Sequence, residues 1–151
     1  IARLTSISGN TDIDALTPWI FSAQLGEVKR VLTDDLYTKI VTDYDKDALS
    51  GVYETIYTDY VSQMLVFFTA ALFISVNNYK ITNAGIYKVI PENGEPIEES
   101  ELNSLVERYR SIANGFELAF ITFMKYNEVP EYGDNKCDSS KNSFGFPWLL
   151  D

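Results

Sequence analysis

The chain has 151 residues, a formal net charge of −10, no histidine and one cysteine, with 46% apolar and 14% aromatic residues. That length fits one domain, which can bury about 68–70% of the surface its unfolded form exposes without needing covalent staples. The acidic balance disfavours sequence-independent nucleic-acid binding. A lone Cys137 in a polar tail excludes an intrachain disulfide and reads as a free thiol without catalytic duty, in a reducing compartment.

Residues 1–11 read as an N-terminal arm, with a turn signal at Ser8-Gly9-Asn10. No signal-peptide pattern is read, and the chain opens at Ile1 rather than Met. Thr17-Pro18 is a helix-start signal, and Asp12 or Asp14 offers a start one turn earlier. This helix runs to about Leu32, with Phe21, Leu25, Val28 and Leu32 as its buried stripe, widened by Trp19, Ile20 and Ala23. Thr33-Asp34-Asp35 reads as a cap for a short helix carrying Leu36, Tyr37, Ile40 and Val41. A charged loop, 43–47, follows. Its alternate aspartates resemble a calcium loop, but the glycine and distal glutamate of that motif are missing, and no metal is expected.

Ser50 is expected to cap a long helix over 52–77, about 39 Å at 1.5 Å per residue. Its stripe includes Ile56, Tyr57, Tyr60, Val61, Met64, Leu65, Phe68 and Leu72, and from Met64 to Val76 nearly every face is apolar. Residues 61–76 fall short of the roughly 20 that a membrane span wants and include Ser62, Gln63, Thr69 and Ser75, so the segment reads as a core helix. Part of its length is expected to be covered by another subunit. Tyr79–Thr82 and Ile86–Ile90 favour strands around the turn residues Asn83-Ala84-Gly85, giving a small hairpin or extended loop at 79–90.

After the loop 91–96, a second long helix runs from about Glu98 to Tyr126, with Leu102, Leu105, Val106, Tyr109, Ile112, Ala113, Phe116, Phe120, Phe123 and Met124 inward. Gly115 inside it implies a close helix contact. Glu98, Glu99 and Glu101 suit the helix dipole rather than a catalytic carboxylate site. The adjacent pairs Asp34/Asp35 and Glu98/Glu99 point apart, and Lys29/Arg30 and Arg108/Arg110 read as solvated faces. Pro130 stops the helix, and the polar stretch 131–143 leads to an apolar end, Phe144, Phe146, Pro147, Trp148, Leu149 and Leu150. Those residues either fold back on the core or anchor a partner. The expected fold is therefore all-α: a four-helix bundle of two long and two shorter helices, with a core at 12–127 and a C-terminal arm at 128–151. No catalytic, cofactor-binding or metal-binding residue is expected.

Three segments carry a family resemblance: AQLGEVKRVLTDDLYTKI at 23–40, YKITNAGIYKV at 79–89 and ESELNSLVERYRSIA at 99–113. The pattern resembles the head–tail connector (adaptor, or neck ring) proteins of tailed double-stranded DNA phages, closest to those of Bacteroidales and crAss-like phages. Ala23-Gln24, Leu32 and Leu36-Tyr37 match the first motif. Thr33 stands where that family typically has Gly, which leads us to expect a cap there rather than a left-handed turn. Lys80, Thr82, Asn83 and Gly85 match the second motif. The resemblance covers about 12–127 and implies a non-enzymatic virion protein at the head–tail junction, made in the host cytoplasm. It would be one subunit of a ring, usually of twelve, below the portal protein, contacting downstream neck and tail proteins. Genomic DNA would pass only non-specifically, and no membrane is involved.

The expected subunit contact is Tyr79, Lys80, Ile81, Thr82, Asn83 and Gly85; the expected portal anchor is the apolar end at 144–150. A stopper or tail-completion protein is the alternative within the virion. The alternative from another class is a small-molecule-binding or regulatory module, with a pocket lined by the helices at 52–77 and 105–124.

Overall fold

The computed structural model describes residues 4–5, 7, 11–77, 79–82, 85–88 and 97–133. Among them the architecture is all-α, with one short hairpin. The first helix starts a turn earlier than the Thr17-Pro18 signal. Asp12 is its N-cap, and its carboxylate accepts a hydrogen bond from the Asp14 N–H at 3.0 Å. A carboxylate there satisfies an orphan donor and suits the dipole. Thr17 Oγ1 donates to the Ile13 carbonyl instead of capping, and Pro18 lies inside the helix.

This helix, α1, runs Ile13–Ala23, passes through a π-turn at Gln24–Val28 and continues as Lys29–Leu32. A π-turn holds more residues per turn than an α-turn. Apolar residues five apart, Ala23 and Val28, therefore share the buried face with Leu16, Val31 and Leu32. Phe21 and Leu25, expected inside, are turned out and are 61% and 42% exposed.

Thr33 corrects the expected cap. Its side chain makes no capping bond, and its backbone sits at φ 70°, ψ 162°. That region is essentially reserved for glycine and costs on the order of 1–3 kcal/mol in other residues. Its hydroxyl donates instead to the Glu131 carbonyl at 3.3 Å. Thr33→Gly is expected to stabilise the fold by about 1 kcal/mol. The relieved strain exceeds the lost bond and the greater freedom of glycine in the unfolded chain. A thermal melt checks this, and a lower midpoint would contradict it.

The second helix, α2, spans Asp34–Asp45. Asp43, Tyr44 and Asp45, expected in a loop, complete its last turn, where Lys39 pairs with Asp43 at 2.9 Å across one turn. The long helix α3 begins at Gly51–Thr55, passes a second π-turn at Ile56–Val61 and continues as Ser62–Asn77. Ser50 holds the N-cap position, but its hydroxyl makes no capping bond. Ile56 and Val61, again five apart, are both buried. Met64, Phe67, Phe68, Thr69, Ala70, Ala71 and Phe73 are buried around the helix, as an all-round apolar segment requires. By length and composition alone, Gly51–Val76 could cross a membrane. Within the subunit it packs between α1 and the last helix.

Strands β1 (Tyr79–Thr82) and β2 (Gly85–Lys88) follow and pair antiparallel, Tyr79 opposite Lys88 and Thr82 opposite Gly85. Gly85, expected in the turn, opens the second strand. The last helix, α4, spans Glu99–Tyr126. Its stripe is buried or partly buried as expected except at Ile112, which stands at the rim, 36% exposed. The α3–α4 seam is aromatic. Phe67 stacks on Phe116 at 5.9 Å and tilts against Tyr109 at 6.1 Å, while Tyr60 meets Phe120 at 6.1 Å and Phe123 at 5.3 Å. Gly115 lies outside this seam, and an added Cβ would meet nothing within 4 Å among the described residues, so no close contact with them accounts for it. The helix ends at Tyr126, as expected, and Pro130 opens a 3-10 turn, Pro130–Tyr132. That turn places Val129 and Tyr132 in the core, with Tyr132 edge-on to Phe120 at 5.3 Å.

Candidate interaction surfaces

In chain order the hairpin follows α3 and precedes α4. Of the expected contact residues, Tyr79, Lys80, Ile81 and Thr82 form β1, and Gly85 pairs with Thr82; Asn83 lies outside the described residues. Among the described residues the sheet has two strands only, so each strand keeps one outer edge. Such an edge presents backbone donors and acceptors that another chain can pair with. The expected anchor, Phe144, Phe146, Pro147, Trp148, Leu149 and Leu150, lies outside the described residues, as does Cys137.

A cavity of about 250 Å³ opens between α1, α2 and α3. Both π-turns line it, through Gln24 and Val28 on one side and Tyr57 and Val61 on the other; Tyr37, Ile40 and Tyr44 of α2 add to the wall. Gln24 Nε2 donates to Tyr37 Oη at 3.0 Å, and the rings of Tyr44 and Tyr57 lie 5.1 Å apart. Burial, with a hydrogen bond from the Tyr57 hydroxyl to Tyr44, raises the Tyr57 pKa. The sequence reading placed its candidate pocket between α3 and α4, where the aromatic side chains pack on one another. A signal for the observed cavity was present in the apolar pairs spaced by five that mark the π-turns.

Glu131 joins three elements. Its carbonyl accepts from Thr33, and its Oε2 accepts from Tyr53 Oη at 2.7 Å. That hydrogen bond, with lesser contributions from burial and the nearby carboxylate charges, pushes the Tyr53 pKa up to about 12. A folded-state pKa above the usual 10 means this contribution is full below pH 10 and is lost as pH rises from 10 towards 12. Tyr53→Phe is expected to flatten that part of the stability–pH curve, and chemical denaturation at several pH values checks it. An unchanged slope would contradict the assignment.

The basic pair Lys29/Arg30 is engaged locally. Lys29 meets Asp34 at 2.9 Å, and Arg30 donates to both carboxylate oxygens of Glu117 at 3.3 and 3.0 Å. No group of three His, Cys, Asp or Glu side chains able to hold a metal is found among the described residues.

Two helix sides are exposed and uncharged. On α1, residues 15–26 carry no charge, and Pro18, Phe21, Ser22 and Leu25 face out. On α4, Ile112, Gly115, Leu118, Ala119, Thr122 and Tyr126 face out, with Leu118 65% and Tyr126 84% exposed. The sequence reading missed both surfaces, because it counted Phe21, Leu25 and Ile112 as core and did not say whether the close helix contact at Gly115 lies inside the subunit.

Among known proteins, a sequence model described as a family of unknown function, DUF6712, matches residues 28–142. No curated protein and no solved structure matches.

Proposed function

The chain belongs to the DUF6712 family, a family of unknown function, and for it we propose a structural role in the virion of a tailed double-stranded DNA phage. In this reading it is a subunit of the head–tail connector ring, usually of twelve copies, which extends the DNA channel below the portal and seats the neck and tail. It performs no covalent chemistry and needs no cofactor.

The observation that carries the reading is Thr33. The connector motif typically has a glycine at this position, and here the backbone takes a φ of 70°, which favours glycine. Thr33 keeps the turn of the motif without its residue. The second motif gives further support, since its Lys80, Thr82 and Gly85 fall on the paired strands of the hairpin. The net charge of −10 suits a channel through which DNA passes without sticking.

Purified chain, alone and with the portal protein of the same genome, tests this by sedimentation. Large closed oligomers that bind the portal support the proposal; a monomer that ignores the portal sinks it. A stopper or tail-completion role differs only in which ring the subunit stacks on. The cavity between the π-turns favours a different reading, a small-molecule-binding module, because mostly apolar walls with a few polar groups are what such sites use.

A further inference from the structure

We propose that copies of this chain join head to tail through α1 and α4, with the Phe21–Leu25 side of α1 in one copy seated on the Ile112–Tyr126 side of α4 in the next. The proposal rests on the ring reading and names its contact.

Three observations converge on it. The first is charge. Two copies that each carry −10 repel, and a contact between uncharged surfaces brings no like charges together. The outward side of α1 over residues 15–26 is uncharged, as are the outward α4 positions 112, 115, 118, 119, 122 and 126. The second is shape. Ala15 to Leu25 spans about 15 Å of helix, and Ile112 to Tyr126 about 21 Å. One side is bulky, with Phe21 61% and Leu25 42% exposed; the other has small residues, Gly115 and Ala119, between Ile112 and Tyr126. Ridges of large side chains fit grooves left by small ones. Gly115 weakens an isolated helix by roughly 1 kcal/mol relative to Ala, and nothing among the described residues of the subunit accounts for it. A neighbour's helix packed over it would.

The third is direction. Glu117 is the α4 residue that reaches α1, through Arg30. At about 100° per residue, Ile112, Gly115, Ala119 and Tyr126 lie roughly 140–180° round the helix from Glu117. The α4 surface therefore faces away from its own α1, and among the described residues it stays exposed, with Leu4 and Thr5 beside Ile112 at one end. Contact between two different surfaces propagates and closes into a ring, whereas contact of one surface with itself stops at a dimer.

The test uses the full chain with Phe21→Arg and Ala119→Arg, and mass measurement by light scattering. Both positions are exposed, so the variants are expected to keep the wild-type circular dichroism; Leu25→Arg and Tyr126→Arg form a second pair if either misfolds. Wild type is expected to form large oligomers and each variant alone to be monomeric. An equimolar mixture is expected to form a dimer, because Phe21→Arg retains a good α4 surface and Ala119→Arg a good α1 surface. Wild-type-sized oligomers from both variants, or a mixture that stays monomeric, would overturn the α1–α4 contact while leaving the ring reading standing. Wild type that stays monomeric up to about 1 mM, where association energies fall below roughly 4 kcal/mol, would overturn the ring reading and this contact with it.

Discussion

Replacing Phe120 with Ala is expected to destabilise the protein by about 3–5 kcal/mol, the usual range for removing a buried aromatic ring. Phe120 is fully buried where the α3–α4 seam meets the C-terminal 3-10 turn. Its ring is edge-on to Tyr132 at 5.3 Å and meets Tyr60 at 6.1 Å. Truncation removes both aromatic contacts and opens a cavity that three separate elements would have to move to fill. Against a typical total stability of about 5–15 kcal/mol, the loss is a large fraction. Urea denaturation checks it, with an unchanged slope taken as evidence that the change lies in stability alone. Phe21→Ala is the control. It removes the same atoms from a surface position and is expected to shift stability of the isolated subunit by under about 0.5 kcal/mol. Equal effects at the two positions would contradict the orientation assigned to both helices.

Thr69→Val is expected to act in the opposite direction, stabilising the subunit by about 1–2 kcal/mol. Thr69 is fully buried in the middle of α3, and its Oγ1 has no hydrogen-bond partner among the described residues. Helical threonines elsewhere in the chain find one: Thr17, Thr38, Thr58 and Thr122 each donate to the carbonyl four residues earlier. A buried hydroxyl left unpaired costs on the order of 1–3 kcal/mol. Valine keeps the branched shape and removes that penalty. A thermal melt that shows destabilisation instead would mean that the hydroxyl is satisfied, for instance by a bound water.

The all-α class and all four helices were legible because their apolar residues recur at helical spacing over long stretches. Leu102, Val106, Tyr109, Ala113, Phe120 and Met124 are the clearest case, an uninterrupted α-helix whose stripe was read almost completely. The errors cluster where the period changes. The π-turn at Gln24–Val28 puts Ala23 and Val28, both read as buried, on one inner face and leaves Phe21 and Leu25 outside it, and fixed 3.6-residue counting cannot register that slip. At Ser50 and Thr33 residue type predicted a capping hydroxyl. The backbone chose otherwise, because Gly51 takes a φ of 59° and Thr33 is drawn to Glu131, 98 residues away in sequence. A bond of that range leaves no local signal. The hairpin was legible from its β-favouring residues and turn composition. The α4 surface was hidden for a different reason: Gly115 reads the same in sequence whether a helix packs on it from inside the subunit or from another copy.

The claim on which the rest depends is that this chain assembles with itself into a ring. Negative-stain electron microscopy of the purified full chain, at several concentrations and with the portal protein of the same genome, measures that directly. The account predicts end-on views of closed rings with one rotational symmetry and a central channel, seated on the portal when it is present. Uniform particles of single-subunit size under every condition, with the portal left bare, would contradict it.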